Sequence, residues 1–212
     1  MHLASLHSPK RPQRSRRSTG FQRLPAGFRN ARRCICLLLL DLFARLEIGT
    51  FYGRSTATIC SAIAANRRPT EFISCDLDFR SASEFSRLFG AIHCLAEVRP
   101  PAECNEAFSR GLSTLEYARL QLDRYNFTPF VQLIAGDFRR IRGTFDMIFA
   151  DVLHDEREIE ANLPGILDKI ENDGILAVHD ITDGHRSAMQ RVSRNLQFIS
   201  QSAHLGLFRF ES

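Results

Sequence analysis

The chain has 212 residues, 44% of them hydrophobic, which suits one domain, or one domain with an arm, and supplies enough apolar side chains for a core. The formal net charge of +4 is unevenly spread, because residues 1–40 carry nine of the 28 Lys and Arg and no acid, leaving 19 basic side chains against 24 acidic ones. The folded part is therefore mildly acidic, which disfavours nucleic acid as its partner, and no run of about 18 apolar residues predicts a membrane span.

Residues 1–33 are rich in Arg, Ser and Pro and have little hydrophobic periodicity, and an apolar run follows at 34–40; we predict a basic, disordered N-terminal arm over residues 1–40 and one domain over residues 41–212. Three functional interpretations of the arm stay open. It could be a targeting presequence, a segment that contacts nucleic acid or anionic lipid, or translated sequence upstream of the true start.

The cysteine pattern favours a cytoplasmic protein with buried, reduced thiols, because no CxxC pair and no zinc-ligand spacing occurs. The six cysteines are at positions 34, 36, 60, 75, 94 and 104.

Apolar runs and helical patterns alternate along the rest of the chain. The predicted strands are 42–48, 71–75, 130–135, 145–150, 175–178, 197–200 and 205–210. The predicted helices are 55–66, 107–125, 156–170 and 186–196, and the segment 79–105, with its Pro100-Pro101 breaker, has no assignment. This alternation predicts an α/β fold with a mostly parallel, doubly wound sheet, helices on both of its faces and a closing C-terminal hairpin.

The first predicted strand ends in a turn that suits a small ligand. Glu47 is followed by Gly49 and Gly53, four residues apart, and a helix then begins. Glycine permits a sharp bend and a close approach to a ligand, and the helix start offers free N–H groups. Phe51 stands where the dinucleotide fingerprint GxGxxG requires glycine, so that motif is absent. The alternative is an ordinary strand-to-helix turn.

Carboxylates follow the predicted parallel strands, at the sheet edge where ligands of open α/β sheets bind. They are Glu47, Asp76, Asp78, Asp137, Asp151 and Asp180. Such a set suits a ligand with hydroxyls and an amine, or a metal ion. A polyphosphate is disfavoured because Lys10 and Lys169 are the only lysines and neither belongs to a P-loop. Any single acid could instead cap a helix.

Five segments in register resemble class I S-adenosylmethionine-dependent methyltransferases, in a branch that includes small-molecule and sugar O-methyltransferases. They are 47–56 (EIGTFYGRST), Asp76, 136–138 (GDF), 145–154 (FDMIFADVLH) and 173–181 (DGILAVHDI). The resemblance implies a seven-stranded, Rossmann-like sheet and S-adenosylmethionine as cofactor. It further implies that Asp76 binds the ribose hydroxyls and that Asp137 lies near the adenine. The full set of implied cofactor-binding residues is Glu47, Gly49, Thr50, Gly53, Ser55, Asp76 and Asp137.

A hydroxyl acceptor must lose its proton during methyl transfer, so the chemistry is expected near the ends of the fourth and fifth strands. We predict catalytic roles for Asp151, His154 and His179, with either histidine as the base. In an alternative mechanism, Asp151 and Asp180 hold Mg²⁺, which activates the hydroxyl as a Lewis acid.

The expected partner is a small-molecule acceptor, and a homo-oligomer stays open. Two other functions remain as alternatives: a catalytically silent S-adenosylmethionine-binding domain, and a Rossmann enzyme with a nicotinamide or other nucleotide cofactor, which the missing GxGxxG disfavours. A nucleic-acid methyltransferase is disfavoured by the acidic body.

Overall fold

The computed structural model describes residues 44–66, 69–93 and 98–211, with the side chains of residues 92 and 93 excepted. The predicted arm, the first two residues of the predicted strand 42–48, and the cysteines at 34, 36 and 94 lie outside these ranges. None of the described helices is long and apolar enough to span a membrane.

The described residues form seven strands and six α-helices. The strands are β1 (Ala44–Ile48), β2 (Glu71–Asp76), β3 (Gln132–Ala135), β4 (Phe145–Ala150), β5 (Ile170–Val178), β6 (Leu196–Ser202) and β7 (Leu205–Phe210). The helices are α1 (Arg54–Asn66), α2 (Ala82–His93), α3 (Ala102–Ser109), α4 (Thr114–Arg124), α5 (Glu156–Leu167) and α6 (Asp183–Val192). Two short 3₁₀ turns span Thr128–Phe130 and Phe138–Arg140.

All seven strands form one sheet in the order β3-β2-β1-β4-β5-β7-β6. Strands β1 to β5 pair in parallel, whereas β7 is antiparallel to both β5 and β6. The predicted α/β fold, with its mostly parallel sheet and C-terminal antiparallel strand, is therefore confirmed. The strand order reverses direction between β1 and β4, which is where open α/β sheets bind ligands.

Both faces of the sheet are covered. Leu46 and Ile48 of β1 belong to the core that includes α5 and α6. Residues of β4 that point the other way, Met147 and Phe149, pack with α1 and α4. Because successive side chains alternate between faces, a central strand must be apolar or internally paired at every position. This explains the continuous apolar runs of the sequence.

One predicted helix is wrong. The pattern over residues 107–125 predicts a single helix, but α3 ends at Ser109 and α4 begins at Thr114. Gly111 between them has φ +70°, a conformation that stops a helix. Ser113 then starts α4 as an N-cap, with its side chain accepting from the Glu116 N–H in a capping box.

Other differences lie at element ends. The predicted helix 156–170 ends at Leu167, since Ile170 already belongs to β5. The predicted helix 186–196 is displaced toward its N-terminus, because Thr182 caps α6 and Leu196 begins β6. The unassigned segment 79–105 contains α2 and the first residues of α3.

Candidate active site

A cavity of about 700 Å³ opens at the carboxyl ends of the parallel strands. One side is formed by Phe85 and Phe89 of α2, and the opposite side by Glu158 and Asn162 of α5. The cavity therefore lies across the point where the strand order reverses, between β1 and β4.

The turn after β1 requires glycine at its first position. Gly49 has φ +98°, and a Cβ atom there would lie 2.8 Å from the Asp151 carbonyl oxygen. Gly49 lines the cavity, so the backbone itself forms part of the wall. Gly53 has φ +85°, but a Cβ atom there would lie 3.2 Å from the Cβ of Ala118 in α4. This glycine therefore allows α4 to pack closely and does not make space for a ligand.

Asp76 ends β2 with its carboxylate in the cavity wall. The Phe51 N–H donates to Oδ2 at 2.8 Å, and the Asp78 N–H donates to Oδ1 at 3.1 Å. Burial raises the pKa of this carboxyl, although the Phe51 N–H opposes that change. Each carboxylate oxygen can accept more than one hydrogen bond, so Asp76 retains capacity for ligand hydroxyls.

Asp137 follows β3 and also lines the cavity. It caps the turn Phe138–Arg140 by accepting from the Arg139 N–H at 2.9 Å. The Arg139 guanidinium pairs with the same carboxylate at 3.2 Å and donates to the Ala161 carbonyl at 2.9 Å. These contacts orient the carboxylate at the β3 end of the cavity.

Four predicted cofactor-binding residues do not line the cavity: Glu47, Thr50, Gly53 and Ser55. Glu47 has no exposed surface, and the hydroxyls of Thr56 and Ser74 each donate to its Oε2 at 2.5 Å. Burial raises the pKa of Glu47 to about 7 against the effect of hydroxyl donors. The Thr50 hydroxyl bonds to that of Ser74 at 2.5 Å. This network ties β1, β2 and α1 together beside the turn.

His154 lies between two carboxylates. Its Nε2 is 3.3 Å from Asp151 Oδ1, and its Nδ1 is 2.9 Å from Glu158 Oε2. A ring with both nitrogens facing acceptors needs both protons. The hydrogen bonds to Asp151 and Glu158 accordingly raise the pKa of His154 to about 10. These two contacts therefore favour the imidazolium form of His154 near pH 7.

His179, at the end of β5, differs from His154. Its Nδ1 lies 3.1 Å from Asp151 Oδ1, and among the described residues its Nε2 has no hydrogen-bond partner. The hydrogen bond to Asp151 raises the pKa of His179, while burial opposes the rise. In the neutral ring, an acceptor at Nδ1 favours the tautomer with the proton there and leaves the lone pair on Nε2.

Asp151 holds both histidines through one oxygen. Burial raises the pKa of its carboxyl, but the hydrogen bonds from His154 and His179 outweigh this and hold the pKa at about 2. The structure thus brings all three predicted catalytic residues together. Asp151 and His154 line the cavity, and His179 is attached to it through Asp151.

The alternative magnesium site does not fit this arrangement. Asp151 is already engaged by two histidines, and Asp180 is 3.4 Å from His179 Nδ1. Within the described residues, no group of three or more His, Cys, Asp or Glu side chains is placed to hold a metal ion.

Two features of the cavity were not predicted from the sequence. Glu158 is buried and fixes His154, and the i, i+4 spacing of the two residues was the available sign. The aromatic side chains of α2 lie in the unassigned segment, where Phe85 and Phe89 also have i, i+4 spacing.

A family model described as "Methyltransferase domain" matches residues 46–181, which include most of β1, all of β2 to β5 and the side chains at the strand ends described in this subsection. No curated protein matches the sequence.

Solved structures with the same fold have distant sequences. A methyltransferase from Podospora anserina, bound to S-adenosylhomocysteine, is 14% identical, with 86% of this chain and 78% of that chain covered and a TM-score of 0.54. An O-methyltransferase from Streptomyces achromogenes involved in tomaymycin synthesis, in complex with S-adenosylmethionine, is 14% identical over 86% of this chain and 80% of that chain, with a TM-score of 0.51. An N-methyltransferase from Bradyrhizobium japonicum, bound to S-adenosylhomocysteine, is 15% identical over 87% of this chain and 88% of that chain, with a TM-score of 0.50.

Proposed function

The chain belongs to the family of methyltransferase domains, and we propose that it transfers the methyl group of S-adenosylmethionine to a hydroxyl of a small molecule. The observation that carries the proposal is the pairing of Asp151 with His179, which leaves His179 Nε2 without a partner among the described residues. A hydroxyl acceptor needs such a proton acceptor, whereas a neutral amine already has an available lone pair.

The residues at the strand ends fit the proposed cofactor. S-adenosylmethionine, when bound, supplies a methyl group on a sulfonium sulfur that is already a good leaving group. Asp76 is placed to accept hydrogen bonds from ribose hydroxyls, and Gly49 lets the backbone approach closely. Asp137 stands at the β3 end, where the sequence resemblance places adenine. Solved relatives of the fold that hold this cofactor or its product support the assignment.

Three side chains have separate roles in the proposed proton transfer. His179 accepts the hydroxyl proton at Nε2, and Asp151 orients its ring through Nδ1 and stabilises the positive charge that forms. His154, held protonated by Asp151 and Glu158, fixes the position of Asp151. We assign His154 to positioning for this reason. Divalent-cation catalysis by Asp151 and Asp180 has no support in the donor set described above.

The remaining expectations about partners and location belong to the proposal. A small-molecule acceptor suits a cavity of about 700 Å³. The described cysteines, Cys60, Cys75 and Cys104, are buried free thiols, which supports a reducing, cytoplasmic environment. A homo-oligomer stays a prediction.

The test combines binding with turnover. In isothermal titration we expect the purified protein to bind S-adenosylmethionine in the micromolar range and NADH not at all. We expect His179→Gln to retain that affinity while methyl transfer falls about 10²- to 10⁴-fold, the range typical of general bases. His204→Gln, at an exposed histidine, is the matched control. Binding of NADH alone, or full turnover by His179→Gln, would refute the proposal.

A further inference from the structure

The end of β3 is tied to α5 by the side chain of Arg139. Its Nη1 lies 3.2 Å from Asp137 Oδ1, while its Nη2 donates to the Ala161 carbonyl at 2.9 Å and to Asn162 Oδ1 at 2.8 Å. The guanidinium is a planar fork with several N–H donors, so one arginine can make both sets of contacts at once. The carboxylate that follows β3 is thereby joined to a helix that begins after β4.

The same network continues from α5 to the end of β4. Asn162 Nδ2 donates to the Val152 carbonyl at 3.0 Å, and Val152 directly follows Asp151. Strands β3 and β4 are not neighbours, because β2 and β1 lie between them in the sheet. Side-chain contacts through α5 therefore connect two separate strand ends. All four members of the network line the cavity: Asp137, Arg139, Asn162 and Val152.

The guanidinium of Arg139 is supported on two further sides. Its central carbon lies 4.7 Å from the ring centroid of Phe138, which is buried in the core. On α5, Gly165 leaves space for the guanidinium, since a Cβ atom there would lie 3.4 Å from Arg139 Nε. The position of this group is therefore defined by contacts with both β3 and α5, although the side chain is 44% exposed.

Asp137 keeps an oxygen for a ligand. Its Oδ1 accepts from the Arg139 backbone N–H at 2.9 Å as well as from Nη1, while Oδ2 lies 3.5 Å from Nη1, at the limit of a hydrogen bond. A carboxylate oxygen can accept further hydrogen bonds, so Oδ2 can receive a donor from a molecule in the cavity. Because Oδ1 is held, the direction of Oδ2 is set before a ligand binds, and less free energy is lost in ordering this side chain.

From these contacts we infer that Arg139 is a positioning residue for the cofactor, because it braces the Asp137 carboxylate against α5 in the orientation that accepts a hydrogen bond from the adenine end of S-adenosylmethionine. The inference rests on the proposed function and adds a residue to it. Arg139 acts through Asp137, so its effect on affinity requires that carboxylate. A guanidinium that contacted the adenine directly would instead contribute to binding with or without the carboxylate.

A double-mutant cycle tests this dependence, with isothermal titration of S-adenosylhomocysteine as the measurement. We expect Arg139→Met, which keeps most of the hydrocarbon stem, to weaken S-adenosylhomocysteine by about three- to tenfold when Asp137 is present. In the Asp137→Asn background the same change should alter the affinity by less than about twofold. The control Arg140→Met changes the neighbouring exposed arginine of the same 3₁₀ turn, which does not line the cavity, and should leave the affinity unchanged.

A conservative variant separates the bridge from the charge. Arg139→Lys keeps a positive charge but cannot join Asp137 to α5, because an ammonium group is a compact point charge and not a planar fork. We expect its affinity for S-adenosylhomocysteine to lie between those of the wild type and Arg139→Met. It also completes the cycle if circular dichroism shows that Arg139→Met does not fold.

Several results would overturn the inference. An equal loss of affinity in both backgrounds would mean that Arg139 acts on the ligand or on the fold without Asp137. Wild-type affinity in Asp137→Asn would leave Arg139 nothing to position, and wild-type affinity in Arg139→Lys would show that the bridge to α5 is not needed. Failure of the wild-type protein to bind S-adenosylhomocysteine would instead refute the proposed function, and this inference with it.

Discussion

At the scale of single residues, the same side-chain type has different roles at positions of similar sequence character. His154 and His179 both follow strands and both bond to Asp151. Only His154 has a second carboxylate, Glu158, on its other nitrogen. That second contact favours the charged form of the His154 ring, whereas the Nε2 of His179 has no hydrogen-bond partner among the described residues.

Asp76 provides the sharpest single-residue test of cofactor binding. We expect Asp76→Asn to weaken S-adenosylhomocysteine by about 1–3 kcal/mol, roughly 5- to 150-fold, because a charged acceptor of ribose hydroxyls is lost. Isothermal titration measures the affinity. Asp168→Asn, at an exposed carboxylate that ends α5, is the matched control. An unchanged affinity in Asp76→Asn would remove this residue from the site.

At the scale of elements, the contact of His154 with Glu158 of α5 makes the stability of the fold depend on pH. The pKa of His154 is about 10 in the folded chain against an ordinary value of 6.5. Between these values the folded state binds more protons than the unfolded state, so raising the pH lowers the free energy of unfolding. The contribution is complete below pH 6.5 and is lost as the pH rises through about 10.

Denaturant unfolding at several pH values checks this dependence. His154→Gln should reduce the decrease in stability between pH 6.5 and about 10, leaving the part that comes from His179, whereas His204→Gln, at a largely exposed histidine, should retain the full decrease. A wild-type decrease that survives unchanged in His154→Gln would show that another group is responsible.

The break between α3 and α4 depends on the cap of α4. Ser113→Ala removes the side-chain acceptor of the Glu116 N–H, so we expect unfolding to become easier by about 1 kcal/mol. Glu116→Gln preserves the partner that completes the capping box and should cost less. Thermal unfolding monitored by circular dichroism measures both. Equal stability of Ser113→Ala and wild type would mean that packing alone defines this start.

At the scale of the whole molecule, ligand binding and folding are coupled. A ligand that binds only the folded state at 100 times its Kd stabilises by about 2.7 kcal/mol. For a chain of this size that corresponds to a rise in Tm of roughly 5–11 °C. We expect S-adenosylhomocysteine to produce this rise in the wild-type protein and a smaller one, at the same concentration, in Asp76→Asn. No shift at saturating concentration would contradict binding to the folded domain.

The elements that could be predicted were those with strong local patterns. The strand Phe145–Ala150 has the predicted limits, and the doubly wound sheet follows from the alternation of apolar strands and helices. The helix predicted over 107–125 was wrong, because Leu112 and Leu115 continue an apolar stripe across a glycine that the backbone uses to turn. Hydrophobic periodicity shows which face of a segment is buried, but it does not predict the backbone φ angle of a single residue such as Gly111.

For the site, the sequence by itself determined the glycine turn after β1 and the carboxylates at the strand ends, because strand direction places all of these at one edge. The tertiary structure alone decided which of them reach the cavity. Asp76 lines it, whereas Glu47 does not and its Oε2 accepts from the hydroxyls of Thr56 and Ser74. It also brought together Asp151 and His179, which are 28 positions apart in the sequence. Hydrogen bonds between side chains that are far apart in the sequence depend on strand register and packing, and no local sequence pattern predicts them.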